Sequence, residues 1–356
     1  MTVSPTARHV RLESRAAAWI EDPFVQHVVA HGFASAEVNV SIRLGGASAA
    51  GVTLCVTYAT AAGAMVGRST AKCAAGAATC SAPSAVVHHP TLWSPRSPVQ
   101  YTAAVRLLDT ATNAVLDEDL ITFGLRRLEV VNNSHWKLNG AYLFLHGYGD
   151  DSVYPLTYAP PANETFYAER LRFAKSLGFN YVRPHSHILP AQYFRAACAQ
   201  GVLISAEFPL GFGGPGKACW PHAMEEWIAI IKQLRNFPCV FDYTMANEQP
   251  WNTDTGVGIA NRMYAAAKSL DPQRPVLTSD GMVPAAGVLP NNFGPEDFRT
   301  TGFSDSLPLD PDPSPENQHI FAIKQPMVAP VINHVSSPQL SLVPWLRFIN
   351  RINGSK

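Results

Sequence analysis

The residues with chemistry to offer in this chain recur at intervals, each at the end of an apolar run. Arg183, His185 and His187 close NYVRPHSH, and Glu207 closes VLISAEFP. Asn247 and Glu248 close CVFDYTMANE, and Asp280 closes PVLTSDG. A carboxylate at the end of a run as apolar as CVFDYTMA is costly to bury without a partner or a task. Two readings of Glu248 follow. It forms a salt bridge to Arg183 that holds the mouth of the fold together, or an apolar surround raises its pKa, which suits a general acid.

Helical segments separate these runs. ETFYAERLRFAKSLG predicts an amphipathic helix with Phe166, Phe173, Ala174 and Leu177 on one face. Gly178 stands where a helix end needs a left-handed residue. PAQYFRAACAQG, HAMEEWIAIIKQLRN and GIANRMYAAAKSL predict three more helices, the second with Met224, Trp227, Ile231 and Leu234 in register. AYLFLHG, FNYVRPH, VLISAEFP, CVFDYTMANE and PVLTSDG predict strands. Apolar strands alternating with helices mean a parallel sheet covered by helices. A (β/α)8 TIM barrel is the first expectation and a doubly wound open sheet the alternative. No Gly-rich phosphate loop follows the first strand, which counts against the nucleotide-binding open sheet. In a barrel, active residues sit at the C-terminal ends of the strands, where all these polar groups fall. Beyond Ala285 the rhythm fails, and Asn291 to Asn317 reads as a long loop. The barrel is expected to be incomplete in its last strands.

Ahead of this comes a different rhythm. EVNVSIRL, VTLCVTYAT, VQYTAAVRLLD and DLITFGL are short alternating runs broken by GG, SAPS and HPTLWSPRSP. That spacing predicts an immunoglobulin-like β-sandwich. The chain thus divides into a sandwich over residues 1–125 and a barrel over 126–356, a multidomain β plus α/β architecture.

Composition removes several classes of function. Lys and Arg number 27, as do Asp and Glu, so no basic excess exists to drive nucleic-acid binding or attachment to an anionic membrane. The 47% hydrophobic content can bury a sizeable core. Leu44 to Gly67 is uncharged and long enough to span a bilayer. Its Gly, Ala, Ser and Thr content and its alternation read instead as strands and a turn. The six cysteines show no zinc spacing, so no metal site is expected, and no cofactor either. Cys73 and Cys80 could close a small disulfide or remain thiols. Arg8, Arg11, Glu13 and Arg15 interrupt the N-terminus, which does not look like a signal peptide. Sequons at Asn39, Asn132, Asn163 and Asn353 leave the compartment open, and nothing fixes the oligomeric state.

PTLWSP at Pro90 to Pro95, FGLR at Phe123 to Arg126, YVRPHSH, NFPCV and the Asn247-Glu248 pair together resemble glycoside hydrolase family 2. This family of β-galactosidases, β-glucuronidases and β-mannosidases places a sandwich before a retaining-glycosidase barrel. The resemblance covers roughly Ser84 to Asp280. It implies a β-glycoside as partner and an O-glycosyl hydrolysis that needs two carboxyl groups. Glu248 would be the acid/base, Asn247 would bind the sugar 2-hydroxyl, and Arg183 would support the nucleophile. His185 and His187 would line the pocket, and Glu207 would contact substrate or a neighbouring side chain. Trp220 and Trp251 would stack on a sugar face or simply pack. Asp150 and Asp151 would bind hydroxyls or form a solvated turn, and Asp280 would join the pocket.

Two departures from the family pattern stand out. About 20 residues precede the expected sandwich strands, where the family carries a jelly-roll domain. The family's nucleophile ends a P-(V/I)-I-x-x-E strand, and here APVINHV places Val335 at that position. The resemblance therefore implies a glycosidase by descent with little or no turnover, or a sugar-binding relative.

Overall fold

The computed structural model describes residues 12–46, 48, 51–131, 135–211, 219–249, 251, 254–277 and 279–280. Eight strands come first: β1 (Ala18–Val29), β2 (Ser35–Gly46), β3 (Val52–Thr60), β4 (Met65–Cys73), β5 (Thr79–Ser81), β6 (Ala85–His88), β7 (Tyr101–Asp109) and β8 (Val115–Phe123). They form two antiparallel sheets, one built on β2 with β1, β5 and β6, the other in the order β4-β3-β7-β8. Alternate residues of β2, β3 and β7, among them Val38, Val40, Leu54, Val56, Val105 and Leu107, are buried in one core. Period-2 burial of this kind joins two sheets face to face.

Two of these strands escape a reading of apolar alternation. In β1 the register shifts between Glu21 and Phe24, and Asp22 adopts a φ of 49°. That bulge breaks the period, so β1 lies ahead of EVNVSIRL, the first strand that alternation picks out. Strand β4 (MVGRSTAKC) lies at a sheet edge with no fully buried residue, so it has no apolar face to betray it. The uncharged run from Leu44 to Gly67 supplies the end of β2, all of β3 and the start of β4. Among the described residues, no helix is long and apolar enough to cross a membrane.

A three-stranded antiparallel meander follows: β9 (Leu128–Val131), β10 (His135–Leu138) and β11 (Ala141–Leu143). This corrects the expectation for AYLFLHG. Its first half is a hairpin strand whose Tyr142 is 70% exposed, because Asn139 and Gly140, both at positive φ, turn the chain back onto β10. The first parallel strand is instead β12 (Gly147–Asp150).

From there the chain runs through α1 (Glu164–Ser176), β13 (Tyr181–Pro184), α2 (Ala191–Gln200), β14 (Leu203–Glu207), α3 (Trp220–Leu234), β15 (Val240–Thr244), α4 (Asp254–Leu270) and β16 (Val276–Leu277). Strands β12 to β16 pair in sequence order, all parallel. No reversal of order occurs among them, and a doubly wound sheet requires one. The long loop expected at Asn291 to Asn317 and the APVINHV strand with Val335 lie outside the described residues.

Helix α1 carries a second correction. Its buried residues are Tyr167, Leu171 and Ala174, whereas Phe173 is 63% exposed. Tyr167 sets the phase: its ring packs edge-on against Tyr193, and its hydroxyl donates to Pro161 O at 2.5 Å. Asn163 caps the helix through Thr165 N, and Gly178 takes the expected positive φ of 90° beyond its end. Helix α3 buries Ala223, Trp227, Ile231 and Leu234 at helical spacing, with Met224 only partly covered.

The two cores meet at Trp93, which is fully buried and donates from Nε1 to Cys198 O at 3.1 Å. Gly124 lets the chain pass there, since a Cβ would stand 2.7 Å from Pro238 and 2.9 Å from Trp93. Cys73 pairs with Cys80, and a second disulfide joins Cys198 to Cys239, a pairing that no spacing rule suggested.

Candidate active site

Four adjacent parallel strands deliver polar groups to one place. Strand β13 (YVRP) is buried at every position and carries Arg183. Its Nε lies 2.5 Å from Glu207 Oε2 and 2.6 Å from Asp280 Oδ2, and its Nη2 donates to Asn247 Oδ1 at 2.7 Å. Arg183, Glu207, Asn247 and Asp280 are exposed by only 2%, 0%, 7% and 4%, so this is a buried ion cluster and not a surface network. Burial works against the Arg183 charge, but Asp280 and Glu207 outweigh it and push its pKa up. The guanidinium depends on these two acids to offset its burial.

The backbone around the cluster is constrained. Asn247 N donates to Leu210 O, and Glu248 N to Asp280 O at 2.8 Å. Asp280 N returns a bond to Ala246 O, so the chain beyond β15 and β16 continues as a parallel bridge between Asn247 and Asp280. Glu248 has a φ of 50° and Trp251 a φ of 45°. Non-glycine residues rarely occupy this region and gather at functional sites when they do. Glu248 is half-buried. Its neighbour Asn247 accepts from Arg183 Nη2, and Arg183 also lies against Glu207 and Asp280.

Other expected site residues are placed differently. His185 N donates to Asp150 O at 2.9 Å, and its Nδ1 lies 3.2 Å from Asp151 Oδ1. His187 is exposed, with Nδ1 2.7 Å from His185 O. Asp150 accepts from Ser152 N at 2.8 Å and lies 3.6 Å from Arg170, so its carboxylate serves a turn and a partly exposed ion pair. Trp251 is 1% exposed and packs at 5.9 Å against Trp220. Of the two readings offered for Trp251, stacking on a sugar or packing, its buried ring fits packing. No group of three or more metal-binding side chains occurs among the described residues.

Two participants escaped the sequence. Ser186, at a φ of 52°, donates to Glu207 Oε1 through its backbone N at 2.6 Å and its hydroxyl at 3.2 Å. The other is Asp242, fully buried beneath the cluster, which accepts from Ser205 Oγ at 2.8 Å, Thr244 Oγ1 at 2.9 Å and Tyr181 Oη at 3.3 Å. A carboxylate inside CVFDYT was its available signal.

Burial pushes the Asp242 carboxyl up to about 7; the Ser205 and Thr244 hydroxyls pull it down, and Asp280 adds to the rise. A group whose pKa is higher folded than unfolded holds its proton more tightly when folded. Its stabilising contribution is complete below about pH 4 and drains away as pH rises to 7. Asp242→Asn, which cannot ionise, should match wild type near pH 4 and exceed it by up to roughly 4 kcal/mol at pH 8. Urea unfolding across that range measures this; an advantage that does not grow with pH refutes it.

Comparison with known proteins bears on this arrangement. Residues 18–126 match the family model for glycosyl hydrolases family 2. A beta-galactosidase of Thermoanaerobacter pseudethanolicus is 31% identical over 157 residues, covering 43% of this chain and 20% of its own length. A solved family 2 glycosyl hydrolase from Bacteroides cellulosilyticus superposes with a TM-score of 0.70 at 23% identity, over 81% of this chain and 40% of its own. A beta-glycosidase from Bacteroides vulgatus gives 0.64 at 25% identity, over 74% and 34%. The chain spans about a fifth of the length of the curated relatives it matches. A two-sheet β unit leading into a parallel sheet with acids at its strand ends is a multidomain, β-rich class of architecture, shared with these solved structures. Within that class, the chain is related to glycosyl hydrolase family 2.

Proposed function

We propose that the chain carries the sugar site of a retaining β-glycosidase, on a (β/α)8 barrel that begins near residue 126 after an immunoglobulin-like sandwich. The observation that supports this most is the meeting of Arg183, Glu207, Asn247 and Asp280 at the ends of adjacent parallel strands, with Glu248 beside them. Glu248 is the acid/base: it protonates the leaving glycosidic oxygen, and the same group, now a carboxylate, later draws a proton from water. Asn247, held by Arg183, hydrogen-bonds the sugar 2-hydroxyl. Arg183 keeps the cluster charged and fixes Asn247, and His185 borders the same strand end.

Val335 at the nucleophile position favours a second reading, in which the site binds β-glycosides and turns them over slowly or not at all. A panel of chromogenic β-galactosides, β-glucuronides and β-mannosides, read for both turnover and thermal stabilisation, separates the two readings. Glu248→Gln tests the acid/base role. The variant should fold as wild type does, because the shapes match. Turnover of β-glycosides with unactivated leaving groups should fall by about 10²-fold or more, whereas activated ones keep the rate of aglycone release in the first step and lose only the base-assisted second step. If the wild type turns unactivated substrates over above background, an equal rate in the variant removes Glu248 from the mechanism.

A further inference from the structure

The candidate site occupies the C-terminal ends of the parallel strands, and the opposite end holds a cavity that this chemistry does not reach. It measures about 500 Å³ and lies where β1 and the 123–128 segment meet the loops leading into β15 and β16. That size suits a small molecule. Four guanidinium groups line it, those of Arg126, Arg127, Arg235 and Arg274, together with His27 and His31, against one carboxylate, Asp271.

Three of the four arginines have a carboxylate of their own. Arg127 holds Glu129 at 2.5 Å, Arg235 holds Asp22 at 2.6 Å, and Arg274 holds Asp271. Arg126 has none among the described residues. Its Nη2 donates to Val240 O at 2.6 Å, and its guanidinium lies 5.9 Å from the Trp93 ring centre. Its Nη1 is buried with no acceptor, and so is Nε of Arg235. Arg126 and Arg235 are exposed by only 7% and 8%. Buried donors without acceptors are uncommon and costly, and a buried charge without a counter-ion more so. Burial first, and Arg274 second, push the Arg126 pKa down to about 9. That is the direction expected of a cation lacking a counter-ion.

We propose that this cavity binds a phosphate group, free or carried on a small polar molecule, with Arg126 as its principal ligand and Arg235 Nε as a second. Val240 O takes one of the two hydrogens of Arg126 Nη2. The vacant donors belong to two different guanidinium groups, which suits a tetrahedral oxyanion. The volume beyond one phosphate leaves room for an attached alcohol. The site is independent of the glycosidase reading, and neither stands or falls with the other.

The test uses the full chain, titrated with inorganic phosphate, glycerol phosphate, acetate and sodium chloride at matched ionic strength, read by calorimetry and thermal melting. Phosphate should bind saturably at one per chain and raise the melting temperature, while chloride and acetate do neither. Tighter binding of glycerol phosphate identifies an ester as the occupant, and tighter binding of inorganic phosphate the free ion. Arg126→Met should weaken phosphate binding at least tenfold, whereas Arg106→Met, which removes an exposed pair with Glu118, should not. Should Arg126→Met not fold, Arg235→Lys keeps a cation for Asp22 but deletes Nε, and should weaken binding several-fold. Equal effects of phosphate and chloride on the wild-type chain overturn the proposal, as does acetate binding as tightly as phosphate. Wild-type affinity in a folded Arg126 or Arg235 variant overturns it too.

Discussion

With an activated aryl β-glycoside the protein should release its aglycone at close to the background rate, and adding azide should restore turnover with an α-glycosyl azide as product. A retaining glycosidase divides a difficult displacement into two easier ones by forming a covalent glycosyl-enzyme. On the proposed reading, with Val335 in place of the nucleophile, that intermediate cannot form, and losses of this kind amount to many powers of ten. On that reading azide takes the nucleophile's part and bonds to the anomeric carbon. The glycosidic C–O bond breaks on the opposite face, and the aryloxide departs with the electron pair. It needs no proton from Glu248 when it is already a good leaving group. The readout is product analysis with and without azide; brisk hydrolysis in water alone would mean that another residue is the nucleophile.

Replacing Arg183 by Met should destabilise the fold by about 3–5 kcal/mol. Arg183 is the cation between Glu207 and Asp280, both almost wholly buried, and its removal leaves two carboxylates facing each other out of water. The triple replacement Arg183→Met, Glu207→Gln, Asp280→Asn should recover much of the loss, because no charge is then stranded. Arg106→Ala, at the exposed pair with Glu118, should cost less than about 1 kcal/mol. Urea unfolding of the four proteins measures all of this. An Arg183→Met variant no weaker than Arg106→Ala would show that the cluster contributes nothing to stability.

The strands whose faces are chemically distinct could be read directly from the residues: VTLCVTYAT is β3, and VLISAEFP contains β14. Strands that a bulge or an edge deprives of an apolar face, β1 and β4, could not. In α1, aromatic residues on two faces offered two phases, and only the contact between Tyr167 and Tyr193 selects one. For the site, strand-end position alone was enough to single out Arg183, Glu207, Asn247 and Asp280. Spacing says nothing of which of them touch. Hence Ser186, which acts largely through its backbone N–H, was invisible, and so was Asp242, whose partners come from three different strands. Trp251 looked equally available as a platform or as packing, because exposure is a property of the folded neighbourhood.

The contacts of β1 carry a consequence for the order of events during synthesis. Val25 N donates to Asn236 Oδ1, Asn236 Nδ2 returns a bond to Pro23 O, and Gln273 donates to His27 O. Chains leave the ribosome at roughly 5–20 residues per second, so about 10–40 s separate the emergence of β1 from that of its distant partners. Throughout that interval β1 pairs with β2 and touches β8 and the segment at Arg126, but the face that later meets the α3–β15 loop is open to water. A nascent chain halted near residue 130 should therefore show the hairpin of β1 and β2 as its most protease-sensitive part, and one halted well beyond residue 280 should show it protected.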